Sequence, residues 1–357
     1  MMEEETTTSS QAFPYQTPFA DIAPRFTGSL SAIASSLIIV TILKSDTKLK
    51  TVYHRIMFFM SCADISGSIA MALTSLPMPK HMSQEIMEID GNLSFYDNWA
   101  GIKLGNTQTC EAQGFFYVFG VITMYAYNAM MCIYYVCAIG FGMREDRIIK
   151  NVEPFLHLFS FTLGFGPAVF CLVYDLYNPS GWEAWCTASP IGCNYNNEQE
   201  SKCIRGMKSA EEILCKSILF LLGLIVFIIL ASLVMVTVKV IKIDRALRLH
   251  YSIHSIIHGD VLALHPFAAK VYQNQSNTKV ILIQSLCYIF AFMLTLLSPA
   301  IQALDRIKDA TSTVFNVSAH VHHLYLVFVP LQGFFNFVSQ HATSGVNYLF
   351  LELIGIV

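Results

Sequence analysis

Ile218-Leu219-Phe220-Leu221-Leu222-Gly223-Leu224-Ile225-Val226-Phe227-Ile228-Ile229-Leu230-Ala231-Ser232-Leu233-Val234 decides what surrounds this chain. Lys216 precedes the run, Lys239 follows it, and no charged residue lies between them. A hydrocarbon core about 30 Å thick is crossed by roughly 20 apolar residues in one helix, and a soluble helix has no use for so long a run without charge. The stretch from Ile213 to Ile241 therefore reads as a membrane-spanning helix. Six further apolar stretches lie around it: Phe26 to Leu43, Ile56 to Leu76, Glu111 to Phe141, Pro154 to Tyr174, Val280 to Ile301 and Val317 to Val338. Ser, Thr and Gly dilute the first two.

The expected fold is all-α membrane, a seven-transmembrane helix bundle with its N-terminus outside. Its domain runs over residues 26–338, with spans near 26–43, 56–76, 111–141, 154–174, 213–241, 280–301 and 317–338. An extracellular tail, 1–25, precedes it, and a cytoplasmic tail, 339–357, follows. Composition agrees: 54% of the 357 residues are hydrophobic and 13% charged, where soluble domains carry about 25% charged residues. The mean hydropathy is +0.50. A net charge of −3 and a pI near 6.4 provide no basic surface for nucleic acid. The opening Met1-Met2-Glu3-Glu4-Glu5 lacks the basic and apolar regions of a cleaved signal peptide, so the first span is expected to serve as an uncleaved signal. Residues 1–25 are too few for a folded ectodomain, so a ligand would meet the helices and loops themselves.

Basic residues set the orientation. Lys44, Lys48, Lys50 and Arg55 crowd the first loop, and Arg144, Arg147 and Lys150 the next on that side. Lys239, Lys242, Arg245, Arg248, Lys270 and Lys279 follow in the third. The opposite loop, residues 77–109, has only Lys80 and Lys103. The dense side is expected to be cytoplasmic. Asn92-Leu93-Ser94 and Asn316-Val317-Ser318 are glycosylation sequons on the outer side, and Asn274-Gln275-Ser276 falls inside. Of ten cysteines, Cys110, Cys186, Cys193 and Cys203 fall outside, in the oxidising compartment where disulfides persist. Four cysteines allow three pairings, and sequence does not choose among them. We favour Cys110–Cys186, with Cys110–Cys193 as the alternative; either bridge would tie the second outer loop over the bundle.

Asp64 lies near the middle of the second span. A carboxylate there costs about 2.5–3.5 kcal/mol on insertion scales, so it should face the bundle or a watery cavity. It reads either as a polar switch or ion site, or as a carboxyl satisfied by Ser66, Ser68 or a residue of another helix. Lys216 is expected to snorkel to the interface. His320, His322 and His323 cluster at the outer end of the seventh span and read as interfacial, since the other polar groups at depth, Asp64 and His157, show no metal-ligand spacing. No nucleophile elbow, phosphate loop or heme pair is present. No catalytic residue, metal or cofactor is expected. The aromatic stripe of the third span, Phe115, Phe116, Tyr117, Phe119, Tyr125, Tyr127, Tyr134 and Tyr135, reads as packing with part of it lining a pocket.

The third span opens Cys110-Glu111-Ala112-Gln113-Gly114-Phe115-Phe116 and continues through Tyr127-Asn128-Ala129. The seventh reads Pro330-Leu331-Gln332-Gly333-Phe334-Phe335-Asn336-Phe337. With Asp64 and Tyr177-Asn178-Pro179 before Trp182, the chain resembles the cyclic-AMP-receptor-like family of seven-helix G-protein-coupled receptors, a protist type related to the secretin and adhesion receptors. The resemblance covers residues 25 to 340. It implies Gln113, Gly114, Phe115, Asn128, Pro330, Gln332, Gly333, Phe334 and Asn336 as family motif positions. It also implies a heterotrimeric G protein as inner partner, an unknown extracellular ligand and a place in the plasma membrane. Arg144, Lys239, Lys242, Arg245 and Arg248 are the expected partner-facing residues, and Pro299 and Gly333 the expected bending points.

Rhodopsin-like motifs are missing. The third span ends Gly142-Met143-Arg144-Glu145-Asp146-Arg147 without an Asp/Glu-Arg-Tyr triplet, and the sixth has Ser298-Pro299 in place of Cys-Trp-x-Pro. The seventh lacks both Asn-Pro-x-x-Tyr and any lysine for a retinal Schiff base. The C-terminus departs from the family: no Lys or Arg follows Lys308, and the chain ends in an apolar run from Tyr348 to Val357. That end reads as an amphipathic surface helix or a truncated product. The alternatives to a receptor are a polytopic transporter or channel, for which only Asp64 marks a polar path, and a seven-helix membrane hydrolase.

Overall fold

The computed structural model describes residues 18–80, 101–179, 183–191, 193, 203–258, 293, 295–296 and 319–341. Its helices are α1 (Pro18–Lys44), α2 (Val52–Ala72), α3 (Thr107–Tyr135), α4 (Glu145–Asn151), α5 (Glu153–Val173), α6 (Lys208–His258), α7 (Ala319–Phe328) and α8 (Gln332–His341). The first, second, third, fourth and fifth apolar stretches overlap α1, α2, α3, α5 and α6, the second and third running on past the ends of α2 at Ala72 and α3 at Tyr135. The seventh lies in α7 and α8, which run in series through a 3-10 turn at Val329–Leu331. Of the sixth, Met293, Thr295 and Leu296 are described, all helical. Five helical segments among the described residues are long and apolar enough to cross a membrane. The fold is a seven-helix membrane bundle.

Helix ends follow local chemistry more than hydropathy. α1 is described from Pro18, ahead of the apolar run from Phe26, and within it Asp21 pairs with Arg25 one turn on, at 2.7 Å. Arg25 then donates to the Thr74 hydroxyl beyond α2, 2.8 Å away. α2 starts where the Thr51 hydroxyl accepts from His54 N, and α3 where Asn106 and Thr109 form a reciprocal capping box. α3 ends in a π turn over Val136–Gly140, after which Gly142, at φ +62°, turns the chain aside. α6 runs on past Ile241 to His258, a stretch with neither Gly nor Pro until Gly259.

α3 is the axial helix: 72% of its most apolar window is buried, against 28% for α5 and 22% for α6. α6 turns Leu214, Leu222, Ile225, Ile229, Val236 and Val240 inward at helical spacing and leaves Phe220, Phe227 and Val234 outside. An apolar outer face on an apolar inner one suits lipid as the solvent. Lipid gives no hydrophobic drive between helices, so close packing depends on small residues. α2 and α3 cross at Gly67 and Gly120, where a Cβ on Gly120 would collide with the α2 backbone. Gly164 of α5 likewise lies on Thr123 of α3. At one end of the bundle a hairpin, β1 (Tyr177–Pro179) against β2 (Cys186–Ala188), is buried throughout.

Candidate functional site: an outer cavity and the polar junctions around it

The hairpin is fastened from below by the opening of α3. Of the two partners left open for Cys110, the structure joins Cys186; Cys193 pairs with Cys203. Three residues on from Cys110, buried Gln113 donates to the carbonyls of Ala70 and Thr74 at 2.9 and 2.8 Å and accepts from Cys186 N at 3.1 Å. One side chain thus closes the C-terminal end of α2, α3 and the hairpin together. Gly114 gives its missing side chain's space to the Tyr177 ring. Burial pushes the Tyr177 phenol well above the ordinary tyrosine range, and it donates to Ala168 O in α5 at 2.8 Å. Asn178 donates to the carbonyls of Asp175 and Ser189. Glu111 pairs with Arg205, which also reaches Asp175 at 3.4 Å. Phe115 stacks on Phe119 and meets Phe165 edge-on, as packing.

Beneath this lid is a cavity of about 130 Å³. Tyr117, Val121 and Tyr125 of α3 form one wall, Leu214, Ile218 and Leu222 of α6 another, and Tyr325 and Val329 of the seventh stretch a third. Glu183, Thr187 and Ala188 of the hairpin segment close the top. The Tyr117 and Tyr325 hydroxyls hydrogen-bond at 2.7 Å. Trp185, fully buried, lies on both rings at centroid distances of 5.4 and 6.0 Å. The aromatic stripe therefore divides: Tyr117 and Tyr125 line the cavity, while Tyr127 and Phe119 pack against α5 side chains. A concave, largely apolar space with a few polar groups is the usual form of a small-molecule site.

Asp64 lies deeper, at 4% exposure. Its Oδ2 accepts from Ser35 at 2.7 Å, Ser31 at 3.2 Å and Ser68 at 3.3 Å. Ser66 points elsewhere, to Phe116 O at 3.3 Å, because a residue two positions on faces away from Asp64 on a helix. Gly333 N donates to Ser31 Oγ at 2.8 Å, and a Cβ at Gly333 would collide with Asp64 and Ser35. Gly333 thus serves close approach, and the backbone irregularity lies at the neighbouring 3-10 turn containing Pro330. Gln332 accepts from Thr295 at 2.5 Å and donates to Asn336 at 3.2 Å, joining the sixth and seventh stretches. Asn128 donates to Met124 O within α3. Phe334 packs beside Phe335.

At the end of the bundle away from the hairpin, Arg55 of α2 grips Glu153 of α5 with two nitrogens, one at 2.7 Å. His157 lies 3.4 Å from the same carboxylate, and its other ring nitrogen meets the Tyr127 hydroxyl at 3.1 Å. Glu145 accepts from Val52 N at 3.1 Å. Arg144, Lys239, Lys242 and Arg245 are exposed around this end; the Arg248 side chain is outside the described residues. So are Asn92, Asn316, Trp182, Pro299, His320 and His322. His323 meets Phe19 edge-on at 5.1 Å, and Lys216 pairs with Glu212 one turn back. Sequence reasoning missed Glu183, Trp185, the Gln113 tether and the Arg55–Glu153 pair, none of which has a local signature.

No family model and no curated protein sequence matches the chain. Among solved structures it is similar to squid rhodopsin, with a TM-score of 0.61 at 14% identity over 95% of this chain and 86% of that one. The likeness is one of fold, and it spans nearly the whole length. It does not supply the rhodopsin motifs absent from the third, sixth and seventh stretches.

Proposed function

We propose that this chain is a G-protein-coupled receptor of the plasma membrane, of the cyclic-AMP-receptor-like type. It passes an extracellular signal to a heterotrimeric G protein by rearranging its helices. The observation that carries the reading is a small cavity roofed by a disulfide-tethered hairpin and walled by α3, α6 and the seventh stretch, in a rhodopsin-like bundle. A ligand there touches the helices whose far ends present exposed cations. It shifts the bundle between two populations by its differential affinity for them. Arg144, Lys239, Lys242, Arg245 and Arg248 are the surface we assign to the G protein.

The family-type positions support the finer assignment through what they do. Cys110, Gln113 and Gly114 hold the lid, while Gln332, Gly333 and Asn336 form the junction with Asp64, α1 and the sixth stretch. In this reading the chain performs no catalysis of its own, and no observation favours the transporter or hydrolase alternatives over it.

The test is nucleotide exchange on purified heterotrimeric G proteins, measured with the full chain in lipid nanodiscs. Basal or ligand-raised exchange is expected, lowered several-fold when Lys239, Lys242 and Arg245 are replaced together by Ala. A correctly folded chain that accelerates exchange on no G-protein class overturns the reading.

A further inference from the structure

We infer that the outer cavity takes a small aromatic amine, one protonated nitrogen on an apolar body, and rejects anionic ligands such as a cyclic nucleotide. That the bound molecule is an agonist rests on the receptor reading above; its chemical class rests on the cavity.

Glu183 is the one formally charged side chain among the described lining residues, and it is 3% exposed. A carboxylate accepts up to about four hydrogen bonds and an ammonium donates three, so Glu183 can bond a ligand nitrogen in addition to its protein partner. The rest of the lining matches the other half of such a molecule. Tyr117, Tyr125 and Tyr325 line the cavity with aromatic rings, which attract a cation and pack against an aromatic body, and Val121, Ile218 and Leu222 line it beside them to receive an apolar edge.

An anion finds the reverse. Among the described residues no Lys, Arg or His lines the cavity. The sixth stretch brings none whichever face it turns, because Val280 to Leu304 contains no basic residue. Among the described residues, Arg205 is held by Glu111 and Asp175, and Lys208 has a partner. His323 faces Phe19. A phosphate or carboxylate placed here would meet a buried carboxylate and, among the described lining residues, no Lys, Arg or His, which discriminates by repulsion as well as by attraction.

The full chain in lipid nanodiscs is melted with 2-phenylethylamine or tryptamine and, for comparison, with 3-phenylpropionate, indole-3-propionate or cyclic AMP. The amines should raise the melting temperature, and the two acids and cyclic AMP should leave it unchanged. Glu183→Gln, which keeps the shape and removes the charge, should weaken amine affinity about tenfold or more. An acid or cyclic AMP that stabilises as well as the amines overturns the inference. So does equal amine affinity in wild type and Glu183→Gln, or no shift with either amine. Should Glu183→Gln fail to fold, the contrast between amines and acids on the wild-type chain still decides.

G-protein nucleotide exchange on the same preparation separates the two claims. Amine binding without exchange keeps the ligand class and sinks the receptor reading. Exchange without amine binding does the opposite.

Discussion

Gly333 occupies the point where Asp64, Ser31 and Ser35 converge, and its lack of a side chain lets the carboxylate keep its three hydroxyl donors. Gly333→Ala should therefore destabilise the chain by about 1–3 kcal/mol, the usual cost of overpacking, read as a lower melting temperature in detergent. Asp64→Ala combined with Gly333→Ala should cost less than the two single changes added, because the first removes the Asp64 atoms that the second strikes, leaving only the Ser35 hydroxyl. Strict additivity would mean that the two residues do not meet. Gln113→Leu removes three hydrogen bonds and strands two buried carbonyls and one amide. We expect a loss of about 2–4 kcal/mol and a fall in surface expression. The sequence marks Gln113, Gly114 and Gly333 as unusual through family resemblance, but only geometry says why. Their reasons are atoms on other elements, 39 to 73 positions away for the partners of Gln113 and 302 for Ser31 against Gly333.

Between elements, two fasteners bear weight at opposite ends. Arg55→Ala or Glu153→Ala should each cost about 1–3 kcal/mol, less than a fully buried pair because Arg55 keeps some solvent contact. The double substitution should cost less than their sum, since it strands no charge. At the hairpin end, the Cys110–Cys186 bridge spans 76 positions and Cys193–Cys203 spans 10. By loop-closure entropy the longer one should stabilise by about 1–2 kcal/mol more. Paired Cys→Ala variants melted under the same conditions give that difference, and a larger loss from Cys193 and Cys203 would contradict it. The helices themselves are legible from apolar runs. The starts at Val52 and Thr107 are not, because side-chain caps rather than hydropathy set them. The Cys110 partner also stayed open, since spacing carries no information on which loop strand reaches α3.

The bundle as a whole was readable because lipid imposes a strong pattern: few charges in the spans and basic residues on one side. Cavity chemistry was far less readable. Glu183 lies in a loop between Trp182 and Trp185 with no motif to mark it, and only the fold brings it to the same cavity as Tyr117 and Tyr325. Sidedness has a direct check. Asn92 should carry glycan and Asn274 none, seen as a glycosidase-sensitive mobility shift lost on Asn92→Gln but kept on Asn274→Gln. The reverse pattern would invert the bundle.

The unbroken run of α6 from the cavity wall into the basic region makes that helix a lever. At about 1.5 Å per residue, Arg245 rides roughly 46 Å from Leu214, so a tilt of about 5° pivoting at the cavity carries it some 4 Å sideways. A shift too small to open a gap among close-packed side chains at one end becomes, at the other, a displacement comparable to the width of a side chain.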